Sequence, residues 1–216
     1  MTFGTILFQL SKGLLVSVEI FVLTLVFSLP LGFIVAFGRM SKNPIIRTIT
    51  KVYISIMRGT PLMLQLLVVY FGPNLLFGVR IGENYRFVAV IIAFSINYAA
   101  YFAEIYRSGI ESMPVGQYEA AKMLGYNKAQ TFFLIILPQV IKRILPSVTN
   151  EIITLVKDTS LSFAIAQAEM FTTAKQISAA QTSIMPLMAA GVFYYIFNAI
   201  VAWGMERVEK AFSYYR

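Results

Sequence analysis

The chain contains no cysteine and no histidine. The first absence excludes disulfides and thiolate metal sites. The second removes the commonest zinc ligand and the commonest general base, so no metal site is expected. Charge is scarce as well: Asp, Glu, Lys and Arg make up 13% of the 216 residues, about half the share found in soluble domains. No Ser-, Pro- or Gly-rich linker and no charge block divides the sequence, so one domain over 1–216 is expected. A cleavable signal peptide is not expected, because the first apolar run lacks a basic start, a short core and a small-residue cleavage site. There is also no Gly-rich loop ending in Lys-Ser or Lys-Thr. The polypeptide should therefore neither bind nor cleave ATP itself.

What is abundant is apolar sequence. Hydrophobic residues make up 58% of the chain, which points to an all-α integral membrane protein. A span needs about 20 mainly apolar residues. Five stretches qualify, at about 13–37, 52–77, 87–110, 144–167 and 185–205, with a loop at 111–143. The fourth is the least clean, carrying Asn150, Glu151, Lys157 and Asp158. Basic residues exceed acidic ones by 18 to 10. In an apolar chain this excess reads as loop bias rather than as a nucleic-acid surface. Arg39, Lys42, Arg47, Lys51, Arg58, Arg107, Lys122, Lys128, Lys142, Arg143, Arg207, Lys210 and Arg216 fall in alternate connections, and only Lys12, Arg80, Arg86 and Lys175 fall in the others. Thirteen against four places the amino terminus outside and the carboxyl terminus in the cytoplasm. An odd number of spans with this bias argues against a simple pair of inverted repeats.

One connection is not a plain turn. Between Pro114 and Gly125, Gln117 to Leu124 are good helix formers, with Gly125 placed to end the helix. Eight residues are too few for a helix to hold alone, so this one needs a surface to pack on. It either lies on the membrane interface or docks in the groove of a separate cytoplasmic protein.

Ionisable residues inside the spans are the second anomaly, since each costs about 2.5–3.5 kcal/mol at a span's centre. Glu19 lies early in the first span, seven residues after Lys12, where it is either solvated or paired near the outer surface. In the third span Asn97, Tyr101, Glu104 and Ser108 form one polar stripe at helical spacing. Glu151, Thr154, Asp158 and Ser162 form a matching stripe in the fourth, and a helix break near Lys157 and Asp158 would be tolerated only beside a cavity. Two readings stand. The charges neutralise one another (Lys157 with Asp158 or Glu151, Glu104 with Arg107 or Arg58), or they line a path for a polar solute. With Lys157 as the only cation expected at mid-span, Glu104 and Glu151 would give that path a negative excess.

Several spaced motifs then agree in order. Glu119-Ala120-Ala121, three residues, Gly125, nine residues and Ile135-Ile136-Leu137-Pro138 resemble the EAA signature of ABC importer permeases. Arg58-Gly59-Thr60-Pro61 with Gln65, Asn97-Tyr98-Ala99-Ala100-Tyr101 leading to Ala103-Glu104-Ile105, and Lys157-Asp158-Thr159-Ser160-Leu161 resemble the amino-acid branch of that family. The resemblance covers nearly the whole chain. It implies a type I importer fold in a bacterial cytoplasmic membrane. The loop helix becomes a coupling helix made of Tyr118, Glu119, Ala120, Ala121, Leu124 and Gly125. It implies two copies of a separate ATPase that uses ATP and Mg, an external amino-acid-binding protein and a second permease subunit, for which an identical copy is plausible. The substrate path would comprise Asn97, Tyr101, Glu104, Glu151, Thr154 and Asp158. Glu104 and Glu151 would face a side-chain cation, and Asn97 the α-groups, of a polar amino acid, basic (arginine, lysine, histidine or ornithine) ahead of neutral or acidic. The competing function is a secondary transporter or channel without an ATPase, which leaves the EAA spacing unexplained. A membrane enzyme is disfavoured by the lack of a paired nucleophile or metal cluster.

Overall fold

A computed structural model describes residues 2–80, 82 and 84–212; Arg216, counted above in the tail, lies outside them. The described chain is helical throughout. Four of its helices are long and apolar enough to cross a membrane, or five if one sharply bent pair counts as a single span.

The first helix, α1, runs Phe3–Arg39. It begins ten residues before the expected span because Thr2 caps it and the run from Phe3 on is already helix-compatible. Its buried face carries Gly13, Ser17, Thr24, Ser28, Gly32 and Ala36, a line of small residues at near-helical spacing. Gly32 and Ala36 pack on α4 (Tyr85–Glu111), which answers with Ala99, Ala100 and Ala103 in the most extensive helix–helix contact of the fold, while Gly13 and Ser17 meet Met170 and Glu169. Small residues let apolar helices approach until backbones nearly touch, which is how helices associate where water supplies no driving force. At Gly32 an added Cβ would lie 2.8 Å from Phe102 Cβ and 3.1 Å from the Ala99 carbonyl oxygen.

The second expected span is not one helix. Pro44–Gly59 (α2) and Leu62–Phe77 (α3) are bent 109° at Thr60-Pro61. Pro61 has no N–H and holds the preceding residue extended, so the helix stops at Gly59 and restarts. A break there leaves the last carbonyls of α2 without intrahelical partners. Side chains supply them. Thr60 Oγ1 donates to the Ile56 carbonyl at 2.8 Å. Gln65 Nε2 donates to the Met57 carbonyl at 3.0 Å, to the Thr60 carbonyl at 3.2 Å and to Thr60 Oγ1 at 2.8 Å. Asn97 Nδ2, from α4, donates to the same Met57 carbonyl at 2.9 Å and to Gln65 Oε1 at 2.9 Å.

The fourth expected span is longer and less regular than its apolar run. An Asn127–Gln130 capping box starts α6 (Lys128–Gln130), which passes without interruption through a π-helical stretch, Thr131–Ile136, into α7 (Leu137–Asp158). At Asp158 the α-helix tightens into a 3₁₀ segment, Thr159–Ile165. Two elements follow, α8 (Met170–Gln181) and α9 (Met185–Ala211). The sequence treats the first as loop. It is fixed instead by tertiary contacts around Glu169, whose side chain is fully buried. Glu169 accepts from the Phe171 N–H at 2.7 Å, the Thr172 N–H at 2.7 Å, Thr172 Oγ1 at 2.9 Å and the Tyr194 hydroxyl at 3.0 Å. With the Ser17 hydroxyl of α1 at 3.4 Å as a fifth donor, this one carboxylate ties the α8 start to both α9 and α1. The backbone of Met170 also abuts α1 at Gly13, where an added Cβ would lie 2.7 Å from Met170 Cα.

Three outcomes are expected in thermal melts of the purified protein. Gly32→Ala should cost roughly 1–3 kcal/mol by forcing α1 and α4 apart. Gly72→Ala, where an added Cβ meets nothing within 4 Å, should be neutral or stabilising. Gln65→Leu should cost a further ~1–3 kcal/mol for the carbonyls it strands.

Candidate functional site

The α2–α3 break and the end of α7 enclose two adjoining cavities. The central one, about 390 Å³, is lined by Thr60, Asn97, Tyr98, Tyr101, Glu151, Thr154 and Asp158 with Pro61 and Leu62. The second, about 470 Å³, lies towards α5 (Val115–Met123) and includes Arg58, Tyr101, Glu104, Arg107, Arg143 and Glu151. Tyr101 and Glu151 border both, so the two cavities form one polar passage. All six residues expected on a path line one cavity or the other. The two polar stripes therefore meet across this passage, although Ser162, at the end of the second stripe, turns away and donates to the Thr159 carbonyl at 2.8 Å.

The structure divides the six sharply. Glu104 is already neutralised: Arg107 Nε donates to its Oε1 at 3.1 Å and Arg107 Nη2 to its Oε2 at 2.7 Å, while Arg107 also pairs with Glu111. The charge-neutralising reading thus holds for Glu104, because an arginine three residues on reaches back along the same helix face. Asn97, 3% exposed, spends both N–H groups on the α2–α3 break. Its donors are therefore not free for a ligand's α-carboxylate, which narrows the sequence expectation to its Oδ1. Asp158 accepts from the Tyr98 hydroxyl at 2.7 Å. Thr154 bonds back to the Asn150 carbonyl at 2.9 Å. Glu151 has no hydrogen bond and no ion pair within the described residues.

The cations differ from expectation too. Lys157 is exposed and pairs with neither Asp158 nor Glu151 among the described residues. It is also not the relevant cation, since Arg58, Arg107 and Arg143 reach the cavity on the α5 side. Arg143 gets there because the helical run begins at Lys128, well before the apolar stretch. Glu19 is exposed, sixteen positions after the start of α1. Lys12 does not pair with it; its ammonium lies over the Phe8 ring at 4.6 Å.

The short helix α5 has a split surface. Ala121 is buried and α5 packs on the π-helical stretch, which supplies the support so short a helix requires. Tyr118, Glu119, Ala120, Met123 and Leu124 face outward, Leu124 at 75% and Met123 at 90% exposure. Gly125 has φ +81°, a left-handed conformation that any other L residue would strain to adopt. The outer face therefore carries large apolar side chains with nothing over them. Ala121, by contrast, packs against its own chain rather than on that face.

A family model described as "Binding-protein-dependent transport system inner membrane component" matches residues 28–214. A permease protein of Rickettsia conorii named for glutamine transport is 33% identical over 205 residues, 94% of this chain and 93% of its own. The arginine transport system permease protein ArtQ of Bacillus subtilis (strain 168) is 36% identical over 200 residues, covering 92% and 90% respectively. A crystal structure of an amino acid ABC transporter with histidines contains a chain with TM-score 0.87 and 30% identity, covering 98% of this chain and 99% of that one. With the family model spanning all but the first helix's amino-terminal part and the relatives spanning nearly the full length, this chain belongs to the binding-protein-dependent inner-membrane permeases, as an amino-acid ABC transporter permease subunit.

Proposed function

We propose that this permease carries a basic amino acid of the arginine class through the passage between α4 and α7. The observation that supports the reading is the lining of the central cavity. It holds two carboxylates, Glu151 and Asp158, and no lysine or arginine. A cavity of one sign in a low-dielectric wall favours a cation and disfavours an anion. Glu151 is the residue best placed to take the side-chain cation, because its oxygens are uncommitted, and Asp158 shares the task with one oxygen on Tyr98. Tyr101 and Thr154 border the same passage, and Glu104, bound to Arg107, sets its far end. Asn97 contributes by holding the break that forms the wall.

The bent pair α2–α3 counts in this reading as one of five spans, with the amino terminus outside and the carboxyl terminus in the cytoplasm. The α5 face then meets a separate ATPase, one copy per permease subunit, and the ATP and Mg belong to that partner. A binding protein delivers the amino acid from outside. A second, identical permease subunit completes the membrane part. Motion enters through a continuous piece of structure: α5 rests on the π-helical stretch, which runs directly into α7, and α7 carries Glu151, Thr154 and Asp158. ATP binding that draws the two ATPases together would move α5 and shift one wall of the passage, a two-state element biased by ATP at one end and solute at the other.

Two experiments test this. In vesicles containing the whole transporter, Glu151→Ala should lower arginine uptake by about tenfold, the loss of one charged contact, and leave residual glutamine uptake largely intact. Unchanged arginine uptake sinks the role given to Glu151. Separately, Leu124→Asp alters an exposed side chain and should leave the permease folded in the membrane, yet it should no longer bring down the ATPase on purification. Full co-purification by the variant would place the docking surface elsewhere.

A further inference from the structure

The cavity on the α5 side holds three guanidinium groups, and they are not equivalent. Arg107 is committed to Glu104 and Glu111. Arg58 is not: its Nη1 lies 4.0 Å from Glu104 Oε2, beyond hydrogen-bond reach of a carboxylate whose two oxygens already serve Arg107. Arg58 instead sits over the Tyr101 ring, 5.3 Å from its centroid, and donates no hydrogen bond within the described residues. Arg143 Nη1 donates to the Ser112 carbonyl at 2.7 Å and to Ser112 Oγ at 3.0 Å, two neutral acceptors that leave its charge unmatched. Two arginines with spare donors, Arg58 with only a long ion pair to Glu104 and Arg143 with neutral acceptors alone, therefore line one cavity.

We propose that Arg58 and Arg143 form a carboxylate subsite, at which the α-carboxylate of the transported amino acid is held while its side chain occupies the central cavity. The proposal rests on the reading of the central cavity as the solute's path. Planar guanidinium groups with parallel donors match a carboxylate bidentately, and a partly enclosed cavity strengthens the contact relative to water. The arrangement of charge along the passage gives the orientation. Glu151 and Asp158 attract the cationic end and repel the carboxylate, and the shared border at Tyr101 and Glu151 lets one extended molecule occupy both cavities. The stack on Tyr101 holds the Arg58 head at that border without consuming its donors. An amino acid is thus recognised at both ends, by Glu151 and Asp158 at one and by Arg58 and Arg143 at the other. The second recognition is indifferent to the side chain.

The test uses the complete transporter, purified with its ATPase, and compares equilibrium binding of L-arginine with that of agmatine, which lacks only the carboxylate. In the wild type arginine should bind more tightly. Arg58→Gln and Arg143→Gln should each weaken arginine by about tenfold while agmatine binding stays the same, which also shows that the variants are folded. Equal losses for both ligands, or no loss for either, would overturn the subsite. If the wild type instead binds glutamine and neither cation, the basic-substrate reading fails. The subsite is then decided by glutamine against its own decarboxylated amine: selective loss of the amino acid in both variants upholds it, and equal behaviour rejects it.

Discussion

A carbonyl group stranded in an apolar interior is costly, and this fold depends on how three such groups, on Ile56, Met57 and Thr60, are paired at one place. The helix break at Gly59-Thr60-Pro61 frees the end of α2, and Thr60, Gln65 and Asn97 answer with a small, closed set of hydrogen bonds. The 109° bend is stable because of that set, and the bend is what opens the cavities. It brings Arg58 over Tyr101, and it sets Thr60, Pro61 and Leu62 opposite Glu151 and Asp158. Irregular backbone at membrane depth is tolerated only where protein or a cavity surrounds it, and here both conditions are met.

The same economy governs the charges. The buried and cavity-lining acids fall into two groups according to whether the fold already answers them. Glu104 is held by Arg107 and Glu169 by five donors, so both act as fixed parts of the scaffold. Glu151 and Asp158 retain free oxygens on the central cavity. The proposed transport role falls to the second group for that reason, since a carboxylate that is already paired offers little to a passing cation. The acids with free oxygens lie on α7, while Arg58, Arg107 and Arg143 all line the cavity towards α5.

How much of this could be read beforehand varied with the kind of signal. The helices α4 and α9 were legible because each carries one uninterrupted apolar run, and α5 because Pro114 and Gly125 bracket it. The bent pair was not, since hydropathy averages across Arg58-Gly59-Thr60-Pro61 and sees one span. The polar stripes of α4 and α7 were legible as stripes, from spacing alone. Which members were already spoken for was not: Arg107 and Arg58 were equally plausible partners for Glu104, and the claim of the α2 carbonyls on Asn97 arises only when a distant segment folds beside it. The helix α8 escaped notice because its composition is half polar and its anchor, Glu169, works through tertiary contacts with Tyr194 and the α8 backbone. Arg143 reaches the passage only because the helical run begins at Lys128, upstream of any apolar signal.

The central claim is that the uncommitted acids of α7, and not the paired acid of α4, receive the solute. The most direct measurement is a structure of the assembled transporter with L-arginine bound. The account predicts the guanidinium between Glu151 and Asp158, with Glu104 still on Arg107 and the Met57 carbonyl still held by Gln65 and Asn97. Arginine bound against Glu104 with Arg107 displaced, or Glu151 closed onto Arg58 with the solute elsewhere, would contradict it.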